Sequence, residues 1–590
     1  MLAESAQPAV ASPPRLATSM GERLMALATP AHYLSLVVGG ALILYVDRGG
    51  WFFQDELEFF ARMQPGHSLA LLTPHAQNQW STIPILLTLA LYKLVGLRSI
   101  LPYNLLMVLV HVAVAHLLWR WMRRVGADLW AATALATVFL VVGGGTEDFA
   151  TWFQVTFTLS VAFGLLGAFV VDHDGDGVRR DLAYWPIAIA GLMCSDVGVF
   201  MVVLGGLIAL LRRGPVAAAR VVSVPAAVFL AWAVVFAHGA PSTTPATPAQ
   251  LFLIPQYVWT GITAAINDTT GWSDTGGALV LVLGVWFYRT RRLAVGPQAF
   301  AFAGALLVPL FFAGIGVGRV ASGVQEAGST RYGYVCIALL LPAVALAVTR
   351  LCQLSAVFGR SLLVAVSGAW VVNGVASLLG LLTFLIPLGT AVESAALGDA
   401  QLLTSGAPLA VGEGANATPW APNLTVGMLR SMIHDGALPT DLPVSSSDLL
   451  DAAEYLQVNI TSTRLIPSGA AATVLPEYQP LVVPDGDGCV SLAPFGGQPD
   501  VVGLVFASAA SVEVIAAPSG SVSVQLAWSD DPSALTAARV LTITDNPAYL
   551  KDTAPGTIVM LTLPAGTDRL CGVAMTAPTV TSHLAVQHVG

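Results

Sequence analysis

Between residues 31 and 388 the chain returns twelve times to an apolar stretch almost free of charge, at about 31–46, 83–97, 101–119, 129–142, 156–171, 183–195, 197–211, 217–237, 277–288, 297–317, 333–348 and 361–388. No feature restricts the fold more. Stretches of this kind bury themselves in lipid, and a backbone in lipid must satisfy its own hydrogen bonds, which leaves α-helices as the spanning element here. Charged residues make up only 10% of the 590 residues, against about 25% in soluble domains. The net charge of −9 offers no basic surface for nucleic acid, so no nucleic-acid partner is expected.

The basic clusters set the expected topology. They are Arg120 to Arg124, Arg179-Arg180, Arg212-Arg213 with Arg220, Arg289 to Arg292, and Arg350 to Arg360. Positive loops belong on the cytoplasmic side. If all twelve stretches span, the clusters fall on the wrong side. If 83–97 instead lies at the outer interface, all five fall inside. Pro84 near its start and Lys93 in its body suit that placement. The expectation is therefore an α-helical polytopic membrane protein of about eleven transmembrane helices plus interfacial helices. Its N-terminal tail (1–30) would be cytoplasmic and its C-terminus outside. Residues 31–46 read as a signal anchor, because no short apolar core with a small-residue cleavage site precedes them. The external loops would be 47–100, 143–155, 238–276 and 318–332, with a tight turn at Ser195-Asp196.

After residue 390 the long apolar runs stop. Thr425 to Asp435 and Ser447 to Leu456 carry helical patterns, with Ser447 as a cap. They fall in a linker with short helices, 391–470. Short alternating runs follow at 501–506, 511–515, 521–528, 540–544, 557–563 and 583–589, which read as a β-sandwich or jelly roll over 471–590. If this part is extracytoplasmic, Cys489 and Cys571 can form a disulfide; the alternative is two separate buried thiols. Sequons occur at Asn267, Asn416, Asn423 and Asn459.

Chemistry concentrates in the expected external loops. Trp51-Phe-Phe-Gln-Asp-Glu-Leu-Glu-Phe-Phe60 sets Asp55, Glu56 and Glu58 among aromatics just beyond the first span, where charge is costly. The same loop carries His75 in His75-Ala-Gln-Asn-Gln-Trp80; this imidazole can serve as base, phosphate donor, metal ligand or surface cap. Gly143-Gly-Gly-Thr-Glu-Asp148 supplies a second acidic pair, Glu147-Asp148, which also suits a helix start capped by Thr146. Arg319 and Arg331 break the charge rule by lying outside. They are candidates for a phosphate, with Tyr332 as a stacking surface, or for pairing with Glu326. Asp172-His-Asp-Gly-Asp-Gly177 lacks the terminal acid of a calcium loop and reads as a solvated cytoplasmic turn.

This arrangement of an acidic pair in the first external loop, an acidic residue in the second and large loops after the first and seventh spans resembles the GT-C type of polyprenyl-phosphate-dependent membrane glycosyltransferases. The protein O-mannosyltransferase and aminoarabinose-transferase branches are similar, as are actinobacterial-type enzymes with a C-terminal β-domain. The chain lacks the Lys-Pro-Pro form of their polar block. The resemblance implies a plasma-membrane enzyme that takes sugar from a polyprenyl-phosphate-linked donor, held among membrane lipids, to an extracytoplasmic glycan, lipid or protein acceptor. Asp55 would be the base or orienting carboxylate, with Glu56 beside it. Glu147, Asp148 and His75 would position the acceptor or a divalent cation (Mg, Mn or Ca). Arg331, Arg319 and Tyr332 would meet the donor phosphate. The alternative is a transporter or a non-catalytic membrane scaffold that presents an external glycan-binding β-domain.

Overall fold

The computed structural model describes residues 20–461 apart from 54, 62–71, 73–78, 176, 238–245, 291–295, 419–420 and 422–423. Beyond 461 it describes the strands given below with residues 475, 535 and 536. The helices in chain order are α1 (Met20–Val46), α2 (Asp55–Ala61), α3 (Thr82–Val95), α4 (Leu101–Arg124), α5 (Leu129–Leu140), α6 (Glu147–Ala150), α7 (Val155–Val171), α8 (Val178–Leu192) and α9 (Val197–Arg213). They continue with α10 (Pro215–Phe236), α11 (Pro248–Leu251), α12 (Ile254–Thr270), α13 (Thr275–Thr290), α14 (Ala299–Arg319), α15 (Thr330–Leu354), α16 (Ala356–Thr404), α17 (Val426–His434) and α18 (Ser446–Gln457).

Among the described residues seven helices are long and apolar enough to cross a membrane, on α1, α4, α7, α10, α14, α15 and α16. They mark the protein as membrane-embedded. The stretch at 83–97 forms α3, which is too short to join the seven. The last apolar stretch does not stop near 388. It continues as one 49-residue helix, α16, of roughly 70 Å at 1.5 Å per residue. Helix ends follow local chemistry. Asp128 caps α5 by accepting from the amides of Trp130 and Ala131 at 2.9 and 3.2 Å. Gly271 closes α12 in the left-handed conformation, φ 74°. Thr425 caps α17. The cap of α18 is Ser445, not Ser447, because the helix starts one turn-position earlier than its apolar pattern.

The chain forms two compact units. The first comprises 1–46, 73–83 and 104–381; the second 47–72, 84–103 and 382–590. The division departs from chain order, since most of the expected first external loop groups with the C-terminal region.

In the first unit α7 packs on α8 and α9, α9 on α10, α14 on α15 and α1 on α5. One end of the α4, α7, α8 and α9 group is tied by ion pairs. Arg124 and Arg212 both meet Asp172, and Arg212 also meets Asp174. Arg213 and Arg220 meet Asp181 at 2.8 and 2.7 Å. The Asp172 turn was expected to be solvated. It is instead buried at Asp172 and His173, because the arginines of the neighbouring helices neutralise it.

In the second unit two six-stranded sheets form the C-terminal region. The first runs in the order 458–461, 548–552, 510–515, 569–571, 489–492, 482–484; the second in the order 573–575, 472–474, 500–506, 557–563, 520–528, 539–543. All neighbours are antiparallel except Val573–Met575 with Ala472–Val474. Alternate residues, such as Val502, Leu504 and Phe506 or Val522, Val524 and Leu526, point into one apolar core shared with Val490, Leu550 and Leu570 of the other sheet. Five of the expected strands are present, while 583–589 lies outside the described residues. The strands with little apolar alternation, such as 482–484 and 569–571, were not legible. Cys489 and Cys571 lie directly opposite on neighbouring strands and form a disulfide.

The second unit also holds α3. Its end is joined to residues 435–441: the Leu97 amide donates to the Ala437 carbonyl at 2.8 Å, Tyr92 donates to Asp435 at 3.2 Å, and Arg98 pairs with Asp441 at 2.9 Å. Trp51 donates its indole N–H to the Leu97 carbonyl at 3.0 Å.

Candidate functional site

The second acidic pair sits in the first unit, and three glycines put it there. Gly143, Gly144 and Gly145 thread between α12, α15 and α16. A Cβ on Gly143 would strike the Asp268 carbonyl, one on Gly144 would lie 2.6 Å from the Ala265 carbonyl, and one on Gly145 would lie 3.0 Å from the Tyr334 Cα. Gly333 and Gly374 line the same passage, where side chains would collide with the carbonyls of Gly144 and Val141. The chain then turns into α6, which presents Glu147 and Asp148. Both acids lie in the first turn of α6, as the helix-start reading expects, although the Thr146 side chain makes no capping bond.

The two acids have different surroundings. Glu147 is half-buried and held: Gln154 donates to one carboxylate oxygen at 2.9 Å and Thr330 to the other at 3.3 Å. Asp148 is fully buried, and neither oxygen has a hydrogen-bond partner among the described residues. Burial pushes its carboxyl well above the usual carboxylate range; Glu147 adds to this and Arg331 opposes it. Phe149 stacks on His111 with ring centroids 4.6 Å apart, and His111 bonds the Tyr334 hydroxyl at 3.0 Å.

Arg331 begins α15 beside this pair. Its guanidinium donates to Glu326 at 2.8 Å and lies 5.3 Å from the Tyr332 ring centroid. Of the two sequence readings of Arg331, the Glu326 pairing is the one observed. Its Nε is buried without a hydrogen-bond partner among the described residues. Tyr332 is buried, which removes it as an open stacking surface. Arg319 lies within electrostatic reach of Asp196, whose carboxyl burial pushes up to about 7. Sequence reasoning gave no chemical role to the loop holding Tyr257. This residue is fully buried, its hydroxyl has no hydrogen-bond partner among the described residues, and its electrostatic neighbours are Tyr332, Glu326, Arg319 and Arg331. The one signal for it was an isolated tyrosine on an apolar helix.

Bordering α12 and α15 is a cavity of about 330 Å³ with walls from α5, α12, α13, α15 and α16. Leu135, Leu279, Leu341, Leu362 and Trp370 line it, and Thr269 and Thr270 stand at the C-terminal end of α12. Such a wall takes a hydrocarbon chain and gives a charged group no partner.

The first acidic pair lies in the second unit and is split by burial. Asp55 is exposed, whereas Glu56 is buried. Glu56 accepts the Phe53 amide at 2.8 Å while its own amide donates to the Phe53 carbonyl at 3.0 Å, the reciprocal pattern of a helix start. Leu57 and Phe60 are buried, and Phe60 packs edge-on against Phe52 at 5.2 Å. His75 lies outside the described residues. Trp80, near it in sequence, stacks on Trp232 at 5.0 Å.

Among the described residues no group of three or more His, Cys, Asp or Glu side chains is placed to hold a metal ion. Glu147 and Asp148 alone, with Arg331 nearby, make a poor cation cage. The chain matches no family model, no curated protein and no solved structure.

Proposed function

We propose that this chain is an integral membrane glycosyltransferase of GT-C type, which transfers sugar from a polyprenyl-phosphate donor to an extracytoplasmic glycan, lipid or protein. The observation that carries the reading is the buried Asp148 with half-buried Glu147, within electrostatic reach of Arg331, whose helix also borders a cavity walled by hydrocarbon. A protonated Asp148 donates a hydrogen bond where an ionised one only accepts. It would steady the departing phosphate oxygen together with Arg331. The acceptor hydroxyl oxygen would bond the anomeric carbon as the bond to phosphate oxygen breaks, and a carboxylate would take the hydroxyl proton. Asp55, exposed in the second unit, stays a proposed base or orienting carboxylate by the resemblance alone.

In this reading α5, α8, α9 and α13 complete eleven spans, the N-terminus is cytoplasmic, and the C-terminal sheets form an external jelly roll in the plasma membrane. The Arg331–Glu326 pair favours the alternative of a non-catalytic scaffold, since it occupies the cation that the donor would use. Reconstituted protein offered radiolabelled polyprenyl-phosphate sugars and cell-envelope extract decides between them. Transfer that disappears in Asp148→Asn and Arg331→Gln supports the enzyme; absence of any transfer by folded wild-type protein leaves the scaffold.

A further inference from the structure

A second pocket lies at the other end of α7 from Glu147 and Asp148. Val155 and Phe169 bracket that helix over roughly 20 Å at 1.5 Å per residue. The pocket has a volume of about 370 Å³ and is lined by Trp119, Arg120, Arg123 and Arg124 of α4 with Phe169 of α7. Nothing in the proposed transfer reaction uses it.

Its walls are fixed before anything binds. Trp119 stacks face to face on His32 with centroids 4.4 Å apart and donates its N–H to Thr133 at 3.2 Å. Arg124 is held by the side chain and carbonyl of Asp172. The charge is not cancelled everywhere. Arg120 has no carboxylate partner among the described residues and lies over the Phe169 ring at 5.2 Å. Arg123 gives one donor to the Ala127 carbonyl at 3.0 Å and likewise has no carboxylate. Two exposed guanidinium groups therefore keep free donors toward one pocket whose floor is aromatic.

The approach to the pocket is apolar. Leu105, Leu109 and Ala113 are exposed on α4 at spacings of four residues, and the row continues through Leu117 to Arg120. This helix is one of the seven that can cross a membrane, so the row faces acyl chains and ends at arginines. A hydrocarbon stripe leading to planar, phosphate-matching donors is the outline of a lipid. We propose that the Trp119–Arg120–Arg123–Phe169 pocket binds the phosphate headgroup of an anionic phospholipid whose acyl chain lies along Leu105, Leu109 and Ala113.

The test uses full-length protein reconstituted with equal phosphatidylglycerol and phosphatidylcholine, with retained lipid counted by native mass spectrometry. Wild-type protein should retain phosphatidylglycerol preferentially. Arg120→Gln with Arg123→Gln should lower that preference roughly thirtyfold, from the usual contribution of two basic residues near an anionic surface. Arg179→Gln with Arg180→Gln removes the same charge from an exposed site and should leave it unchanged. Phe169→Leu keeps all charges and should weaken retention several-fold, which guards against a misfolded double variant. Unchanged preference in the double variant or in Phe169→Leu overturns the proposal. So does an equal loss in the Arg179/Arg180 pair, which would mean general charge attraction. Displacement of the lipid by millimolar inorganic phosphate would indicate a free-phosphate site instead.

Discussion

Gln154 donates its side-chain amide to Glu147 at 2.9 Å, seven residues back along the chain, and so fixes one carboxylate of the pair while its neighbour is left bare. Glu147 is satisfied from two sides, by Gln154 and Thr330. Asp148 is enclosed and has no hydrogen bond among the described residues. Two adjacent acids thus sit in opposite surroundings, and for Asp148 the consequence is measurable.

Asp148 should make the protein less stable as pH rises. Its folded-state pKa is raised, so the folded protein holds a proton that the unfolded chain gives up. Folding suffers no penalty below the ordinary carboxylate range near 4, and stability falls as pH climbs from there toward the raised value. Asp148→Asn should flatten this slope and melt higher than wild type at pH 7. Melting curves from pH 4.5 to 8 check it; an equal slope in both proteins would show that Asp148 is ionised.

The Asp181 cluster tests a different term, since Arg213 and Arg220 both meet its buried carboxylate. Asp181→Ala leaves Arg213 buried and unpaired, at a cost of about 3–5 kcal/mol. Asp441→Asn breaks the exposed pair with Arg98 and should cost less than about 1 kcal/mol. Denaturation of both variants in one detergent tests the contrast.

Gly144→Ala places a methyl against the Ala265 carbonyl and should destabilise by about 1–3 kcal/mol, the usual range for overpacking. Gly284→Ala, in α13, meets nothing within 4 Å and should be neutral or slightly stabilising. A comparable loss in both would mean that α12, α15 and the glycine run are not closely packed.

The Cys489–Cys571 bridge closes a sequence separation of 82 residues, and its removal by Cys489→Ser with Cys571→Ser should destabilise the C-terminal region by about 2–4 kcal/mol. Proteolysis of wild-type protein with and without reductant gives an independent reading, since reduction should expose the same cleavage sites as the double variant.

Asp55→Ala should lower sugar transfer by about 10²–10⁴-fold, the range for a lost general base, and far more than it lowers the melting temperature, because the side chain is exposed. Glu56→Ala should do the reverse and cost about 0.5–2 kcal/mol of stability through the lost helix-start bond. Normal transfer by Asp55→Ala would remove it as the base.

Long elements were legible because their signal is long. The helices α4, α7, α10, α14 and α15 each follow an uninterrupted apolar stretch, and the exclusion of 83–97 from the spanning set came from counting arginines. The end of α16 was not legible, because Glu393 and Asp399 interrupt hydropathy without interrupting the backbone. Burial of single charges was also hidden. Glu56 and Asp55 are neighbours of the same type, and only the bond to the Phe53 amide separates their roles. The ion pairs at Asp172 and Asp181 join residues 32 to 48 positions apart, beyond any local pattern. Arg331 was read both as a phosphate ligand and as a partner of Glu326; five residues of separation made the second possible, and the short helical turns between them made it real.

The glycine passage has a consequence for kinship. Gly143 to Gly145, Gly333 and Gly374 come from three distant parts of the chain and meet where only a hydrogen fits. Apolar residues around them can be exchanged for one another with small loss, so overall likeness erodes quickly in such a protein. These five positions have no substitute. A relative too diverged to align along its length would still be expected to keep a glycine run ahead of an acidic pair, with single glycines at the matching points of two later spans.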